Sequence, residues 1–222
     1  MTTITFITKT CSACGEQGRF PELGVRGFME PEDLDTRPGG ALRSSIYIWV
    51  QCCQSCGYCA PDITAGGASA RTIITTEAYR RALNDPKLPD ALNHCVCWSM
   101  IQENQGDWAS AGWAALYAAW VCDDDPSCRK LAAHYRKEAY RLFTKAQSEG
   151  MRFGQNKSGE EIIKIDLLRR SGEFEEASRL CGKILDRQLD ERTKTIVQFL
   201  RDRSDENDTR RHTLREALEE LE

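Results

Sequence analysis

Two short stretches of the chain, Cys11-Ser12-Ala13-Cys14-Gly15 and Cys53-Gln54-Ser55-Cys56-Gly57, share the form Cys-x-x-Cys-Gly. Each brings two thiolates to one tight turn. The glycine admits positive φ, so that backbone N–H groups can turn toward sulfur. Two such knuckles supply the four sulfurs of a tetrahedral structural zinc site. The pattern therefore predicts one Zn2+ held by Cys11, Cys14, Cys53 and Cys56. A shell of four thiolates is closed and has no position for a substrate water, so the ion is expected to be structural. Cys52 and Cys59 flank the second knuckle. Cys56-Gly57-Tyr58-Cys59 is itself Cys-x-x-Cys, but alanine follows it. Only the Cys53–Cys56 pair repeats the form of the first knuckle. The two spare thiols leave open a redox or metal-release switch.

The zinc turns organise the first part of the chain. Thr3 to Lys9 reads as a strand leading into the first knuckle. Arg43 to Gln51 reads as a strand leading into the second, because Ile46, Ile48 and Val50 alternate with Tyr47 and Trp49. Strand, knuckle, long loop, strand, knuckle is the layout of a zinc ribbon, placed at 1–66. So small a module has little core, and the metal would contribute much of its folding free energy. Thr64 to Ala70, rich in Gly and Ala, reads as a joint.

From about residue 70 to 222, helix formers dominate. Helices are expected over about 90–104, capped by Asp90, over 108–122, and over 126–147 behind Asp125-Pro126. Another opens at a Ser158-x-x-Glu161 capping box. Further helices are expected over 174–186 and 190–203, with Ser204 to Thr209 as a loop. A final amphipathic helix carries Leu214, Ala217, Leu218 and Leu221. Trp113, Leu116, Tyr117 and Trp120 form one apolar stripe. Gly106-Asp107-Trp108-Ala109-Ser110-Ala111 and Gly172-Glu173-Phe174-Glu175-Glu176-Ala177 share a Gly-acid-aromatic-x-x-Ala pattern. They lie about 66 residues apart, close to twice the period of about 34 of a tetratricopeptide repeat. The expected fold class is α+β, mostly α: a small N-terminal zinc ribbon followed by a tetratricopeptide-like antiparallel helical repeat over 70–222.

Composition narrows the function. The 222 residues are 41% hydrophobic and 29% charged, with a net charge of −4. A nucleic-acid surface would normally be basic. One built here would draw on Lys9, Arg19, Arg26, Arg37 and Arg43, against Glu30, Glu32, Asp33 and Asp35. No signal peptide or spanning segment is read, so the expected location is the cytoplasm. There, eleven cysteines fit metal ligands plus buried thiols better than disulfides. Cys95, Cys97, Cys122, Cys128 and Cys181 are expected as small buried hydrophobes. His94, His134 and His212 define no nucleophile–base pair, and there is no phosphate loop or dinucleotide fingerprint. No catalytic or organic-cofactor residue is singled out. The Asp33 to Pro38 segment is expected as a turn in which Arg37 pairs with Asp33 or Asp35; the alternative is a polar recognition surface flanked by Tyr47 and Trp49.

Several of these elements occur together in a bacterial family known as domain of unknown function 2225. The chain resembles it in Cys11–Cys14, the Asp33 to Pro38 loop, Trp49-Val50 and Cys53 to Tyr58, followed by the Gly106 to Ala111 and Gly172 to Ala177 turns. The resemblance implies architecture and metal binding, and no activity. The expected function is a non-enzymatic zinc-binding adaptor whose helices form a groove for a protein or peptide. The alternatives are nucleic-acid binding through the ribbon and thiol or metal sensing.

Overall fold

A computed structural model describes residues 2–25 and 31–219. Strands β1 (Thr2–Thr10) and β2 (Gln17–Val25) form an antiparallel hairpin whose turn is the first knuckle. β1 follows the expectation. β2 was hidden by Gly18, Pro21 and Gly24. The register sets Pro21 opposite Phe6. The Cys11 N–H donates to the Glu16 carbonyl at 2.9 Å, so the alternation leaves Pro21 at a non-hydrogen-bonded position. Its lack of an N–H costs nothing there. Its carbonyl, on the same outer edge, accepts from the Gln51 side-chain amide at 2.9 Å.

The strand expected over Arg43 to Gln51 is not formed. Helix α1 (Gly40–Ser44) and a 3-10 turn over Ile46–Ile48 occupy it. Only Gln51–Cys52 is extended, as β3, and pairs with β4 (Cys59–Ala60) around the second knuckle. Ile46 and Val50 are buried while Tyr47 is exposed. Residues four apart share the inward face, and the Trp49 indole N–H donates to the Ser45 hydroxyl at 3.1 Å. Tertiary burial has overridden β propensity.

Short helices α2 (Gly67–Ala70) and α3 (Glu77–Leu83) follow, with a 3-10 turn at Ile73–Thr75 between them. Then come α4 (Asp90–Gln105), α5 (Trp108–Asp124), α6 (Ala132–Ser148), α7 (Lys157–Arg170), α8 (Phe174–Leu185), α9 (Glu191–Asp205) and α10 (Leu214–Glu219). Several ends differ from expectation for local reasons. Pro89 is the cap of α4, and Asp90 is its first residue. α6 starts at Ala132 because the Asp125 carboxylate accepts from the Ser127 N–H (2.8 Å) and hydroxyl, closing a separate turn. α7 is capped by Asn156, which accepts from the Gly159 N–H at 2.8 Å, and Glu161 pairs with Arg187 instead. α9 continues through Asp205, with Ser204 buried in its last turn. Leu221 lies outside the described residues.

The two Gly-acid-aromatic motifs fold alike. Gly106 (φ +75°) and Gly172 (φ +82°) end α4 and α7 in the left-handed region. Asp107 N–H donates to Gln102 O and Glu173 N–H to Leu168 O, both at 2.9 Å. Ala111 and Ala177 are fully buried where the paired helices meet.

One apolar core runs from Cys11, Phe20, Cys53 and Tyr58 into α4, α5 and α6 and ends at Leu167. A second joins Leu34 to Ile165, Cys181, Leu200 and Ala217. Cys95, Cys97, Cys122, Cys128 and Cys181 are all buried among these apolar groups. Among the described residues, no helix is long and apolar enough to cross a membrane.

Candidate metal centre

The two knuckles use the same hydrogen bonds. In the first, Cys11 N–H donates to Glu16 O (2.9 Å) and Gly15 N–H to Cys11 O (2.8 Å). In the second, Cys53 N–H donates to Tyr58 O (2.9 Å) and Gly57 N–H to Cys53 O (2.7 Å). The second sulfur of each knuckle accepts a backbone N–H two residues on, Glu16 for Cys14 and Tyr58 for Cys56. Gly15 and Gly57 both have positive φ. At Gly57 the constraint is double, since a Cβ would lie 2.6 Å from Leu83 Cδ2.

These turns bring together the four cysteines expected as ligands. The Cys11 and Cys56 sulfurs are 3.7 Å apart, as are those of Cys14 and Cys53. All four lie within 4.8 Å of one another. A Zn–S bond of about 2.3 Å in tetrahedral geometry requires sulfurs about 3.8 Å apart. The donor set and its spacing therefore fit a four-thiolate ion. Burial raises the Cys11 and Cys56 thiols, and the Glu16 N–H lowers Cys14. A divalent cation would offset the repulsion among four thiolates.

Helices hold both knuckles in place, and the residues read as a joint take part. Ser12 N–H and hydroxyl donate to Ile63 O, and the hydroxyl accepts from Gly67 N–H. Arg71 Nε donates to Ala13 O at 2.8 Å. Tyr79 on α3 donates to Gly57 O at 2.7 Å, and Arg80 Nη2 to Cys56 O at 3.0 Å. No sequence motif marks Tyr79 or Arg80, since their targets are backbone carbonyls more than twenty residues away.

Cys52 and Cys59 are paired across β3 and β4, on the face of the hairpin opposite Cys53. The Cys59 thiol and His94 lower the Cys52 thiol against the opposing effect of burial, while burial raises Cys59. Among the described residues only the cluster of Cys11, Cys14, Cys53 and Cys56 has metal-site spacing.

The Asp33 to Pro38 segment forms the expected turn, closed by Asp33 N–H to Arg37 O (2.9 Å) and Arg37 N–H to Asp35 Oδ1 (3.3 Å), but the Arg37 guanidinium pairs elsewhere. Asp33, Asp35 and Arg37 are all buried. Arg37 reaches Asp124 at the end of α5 through both terminal nitrogens, not the Asp33 or Asp35 carboxylates. Arg43 takes Asp33 at 2.7 Å. Asp35 accepts from Trp120 Nε1 and Arg170 Nη1, each at 2.8 Å. Arg136 and Arg170 both bind Asp123. Burial alone would raise Asp123, but Arg136, Arg170 and Arg37 outweigh it and its pKa is lowered. The loop thus ties the segment between the knuckles to α5, α6 and α7. Each carboxylate faces a cation from another element, as burial of charge requires, although among the described residues Asp33 Oδ1 has only Arg211 at 3.5 Å and no hydrogen bond.

Comparison of the chain with protein families, with curated proteins and with solved structures finds no match. The site rests on its own geometry.

Proposed function

We propose that the chain is a non-enzymatic binding protein whose four cysteines hold one structural Zn2+. The observation that carries this reading is the cluster of Cys11, Cys14, Cys53 and Cys56, with two sulfur pairs at 3.7 Å, close to tetrahedral zinc spacing, and among the described residues no fifth side chain in it. The ion would fix two distant segments as a platform, and the helical part would offer a surface to a protein or peptide. The tetratricopeptide-like character of the helices, a cytoplasmic location and kinship with the domain of unknown function 2225 family belong to the same proposal. The repeat character rests on the Gly106 and Gly172 turns, the kinship on the motif residues, and the location on the reading of the sequence. Nucleic-acid binding is the weaker alternative: Arg37 is buried, and Arg43 and Lys9 are spent on Asp33 and Glu22. Arg26 lies outside the described residues.

Elemental analysis of the purified full chain tests the metal. About one zinc per chain is expected for a four-thiolate site. Less than about half that, with the ligands intact, overturns it. For the interaction role, affinity purification from the native cell should recover the same protein partner with the intact chain and lose it with the zinc-ligand variant Cys53→Ser. A second reading, thiol sensing, is favoured by the cross-strand pairing of Cys52 with Cys59. It requires mild peroxide to release zinc from the wild type and not from Cys52→Ser.

A further inference from the structure

The apolar stripe of α5 does not simply close against its neighbours. Trp113, Tyr117 and Trp120 line an open cleft of about 390 Å³ together with Trp98 of α4 and Trp49. Thr36, Pro38 and Ser110 form its rim. Four of the five tryptophans in the chain converge here.

Tyr117 is stacked on Trp120 (centroids 5.1 Å, 26°), and the other ring planes cross this pair. Trp49 stands nearly perpendicular to Tyr117 (centroids 5.2 Å, 76°) and to Trp120 (6.2 Å, 88°). Trp113 is tilted by 54° to Tyr117 and 59° to Trp120. Crossed faces make the corner of a box, whereas a flat base stacks between parallel faces.

Three of the four indole edges are committed elsewhere. The indole N–H groups of Trp49, Trp113 and Trp120 donate to Ser45, Phe153 O and Asp35. The cleft is left with ring faces, the Trp98 indole and hydroxyls, and among the described residues no charged side chain lines it. An anion finds no cation there. A proline-rich peptide finds few donors for its carbonyls. A lysine ammonium or an arginine finds no carboxylate to replace its hydration. A trimethylammonium group has no N–H to satisfy, and its spread charge is attracted to ring faces. Trp120 is almost fully buried and Trp98 nearly so, so the accessible faces are those of Trp49, Trp113 and Tyr117. The guanidiniums of Arg37, Arg136 and Arg170 and the carboxylates of Asp35, Asp123 and Asp124, which the Trp120 N–H joins at Asp35, offset one another.

Thr36 adds an independent sign. It is a β-branched residue held at φ +66° on the rim of the cleft. Such strain costs free energy and gathers at ligand sites.

We propose that this aromatic cleft binds a trimethylammonium group, carried either by a small molecule of the choline kind or by a trimethylated lysine side chain. The proposal does not depend on the zinc reading.

The test titrates the zinc-loaded full chain, at fixed ionic strength, with tetramethylammonium, choline, a trimethyl-lysine peptide and the neutral tert-butyl isostere of choline. Tryptophan fluorescence and calorimetry give the affinities. The charged ligands should saturate, and choline should bind at least about tenfold more tightly than its neutral isostere. Whichever of choline and the peptide binds more tightly identifies the carrier. Ser110→Leu, which fills the rim, should weaken binding at least about fivefold with far-UV circular dichroism unchanged. The isostere comparison needs no variant and stands even if Ser110→Leu fails to fold. No saturation by any charged ligand up to about 100 mM, far weaker than a formed pocket should give, overturns the proposal. Equal affinity for the neutral isostere also overturns it, as does wild-type binding by a folded Ser110→Leu.

Discussion

Replacing Asp35 by Asn tests whether the buried ion network holds the loop to the helices. The side chain keeps its size and loses its charge. Its outer oxygen now accepts from Trp120 Nε1 and Arg170 Nη1, each at 2.8 Å, with Arg136 Nη2 at 3.8 Å. The other oxygen faces the Arg37 N–H at 3.3 Å. An asparagine can serve Trp120 and Arg170 only by turning its NH2 toward the Arg37 N–H, donor against donor. Three buried guanidiniums are then left with the carboxylates of Asp123 and Asp124. Removing one partner from a buried pair costs about 3–5 kcal/mol, since the surviving charge stays desolvated. For 222 residues, with an unfolding entropy of about 2.1 cal/mol/K each, this corresponds to a fall in Tm of about 6–11 °C. Urea and thermal unfolding should be followed at fixed free zinc, so that metal linkage is the same for both proteins. Glu77→Gln is the control. Its partner Arg81 is 3.8 Å away and both are exposed, so the change should stay under about 0.5 kcal/mol. A loss for Asp35→Asn below about 1 kcal/mol, with zinc content unchanged, would refute the account of the network.

Ligand identity predicts that Cys53→Ser drops bound zinc below half an equivalent, whereas Cys59→Ser retains it; elemental analysis decides, and the opposite result reassigns the second knuckle. Zinc binding to the chelator-stripped protein should release at least about two protons per ion at pH 7, because burial raises the Cys11 and Cys56 thiols and these reach the metal protonated. Affinity should therefore weaken as pH falls, since protons compete for the same sulfurs. Calorimetry in buffers of different ionisation enthalpy measures the release, and clearly fewer than about two protons contradicts it. Gly57→Ala places a Cβ 2.6 Å from Leu83 Cδ2 at φ +77°. The Leu83 methyl and the Arg80 guanidinium can shift, at the cost of the Arg80 bond to Cys56 O, so a loss of about 2–3 kcal/mol is expected, against about 1–2 for Gly106→Ala, where the space is open. Equal effects of the two substitutions in urea unfolding would remove the close approach of α3 from the argument.

Local chemistry wrote much of this protein into its sequence. The spacing of Cys11, Cys14, Cys53 and Cys56 identified the cluster that the fold assembles, because each knuckle closes its own hydrogen bonds within six residues. The Gly106 and Gly172 turns, and the bodies of α4, α5, α8 and α9, were legible for the same reason. Elsewhere, the deciding partner lay far along the chain. Ile46 to Val50 alternates like a strand but turns like a helix, because Ile46 and Val50 bury one face together. Pro21 and two glycines concealed β2 until its pairing with β1 showed that Pro21 needs no N–H bond. Arg37 looked like the partner of its neighbours, yet its charge is balanced by Asp124, 87 residues later. The α5 stripe is core at Leu116 and Trp120, while Trp113 and Tyr117 stay partly exposed beside Trp49 and line a cleft. Short-range hydrogen bonds and metal-ligand spacing are properties of the sequence, whereas burial and charge pairing between distant residues exist only once the chain has folded.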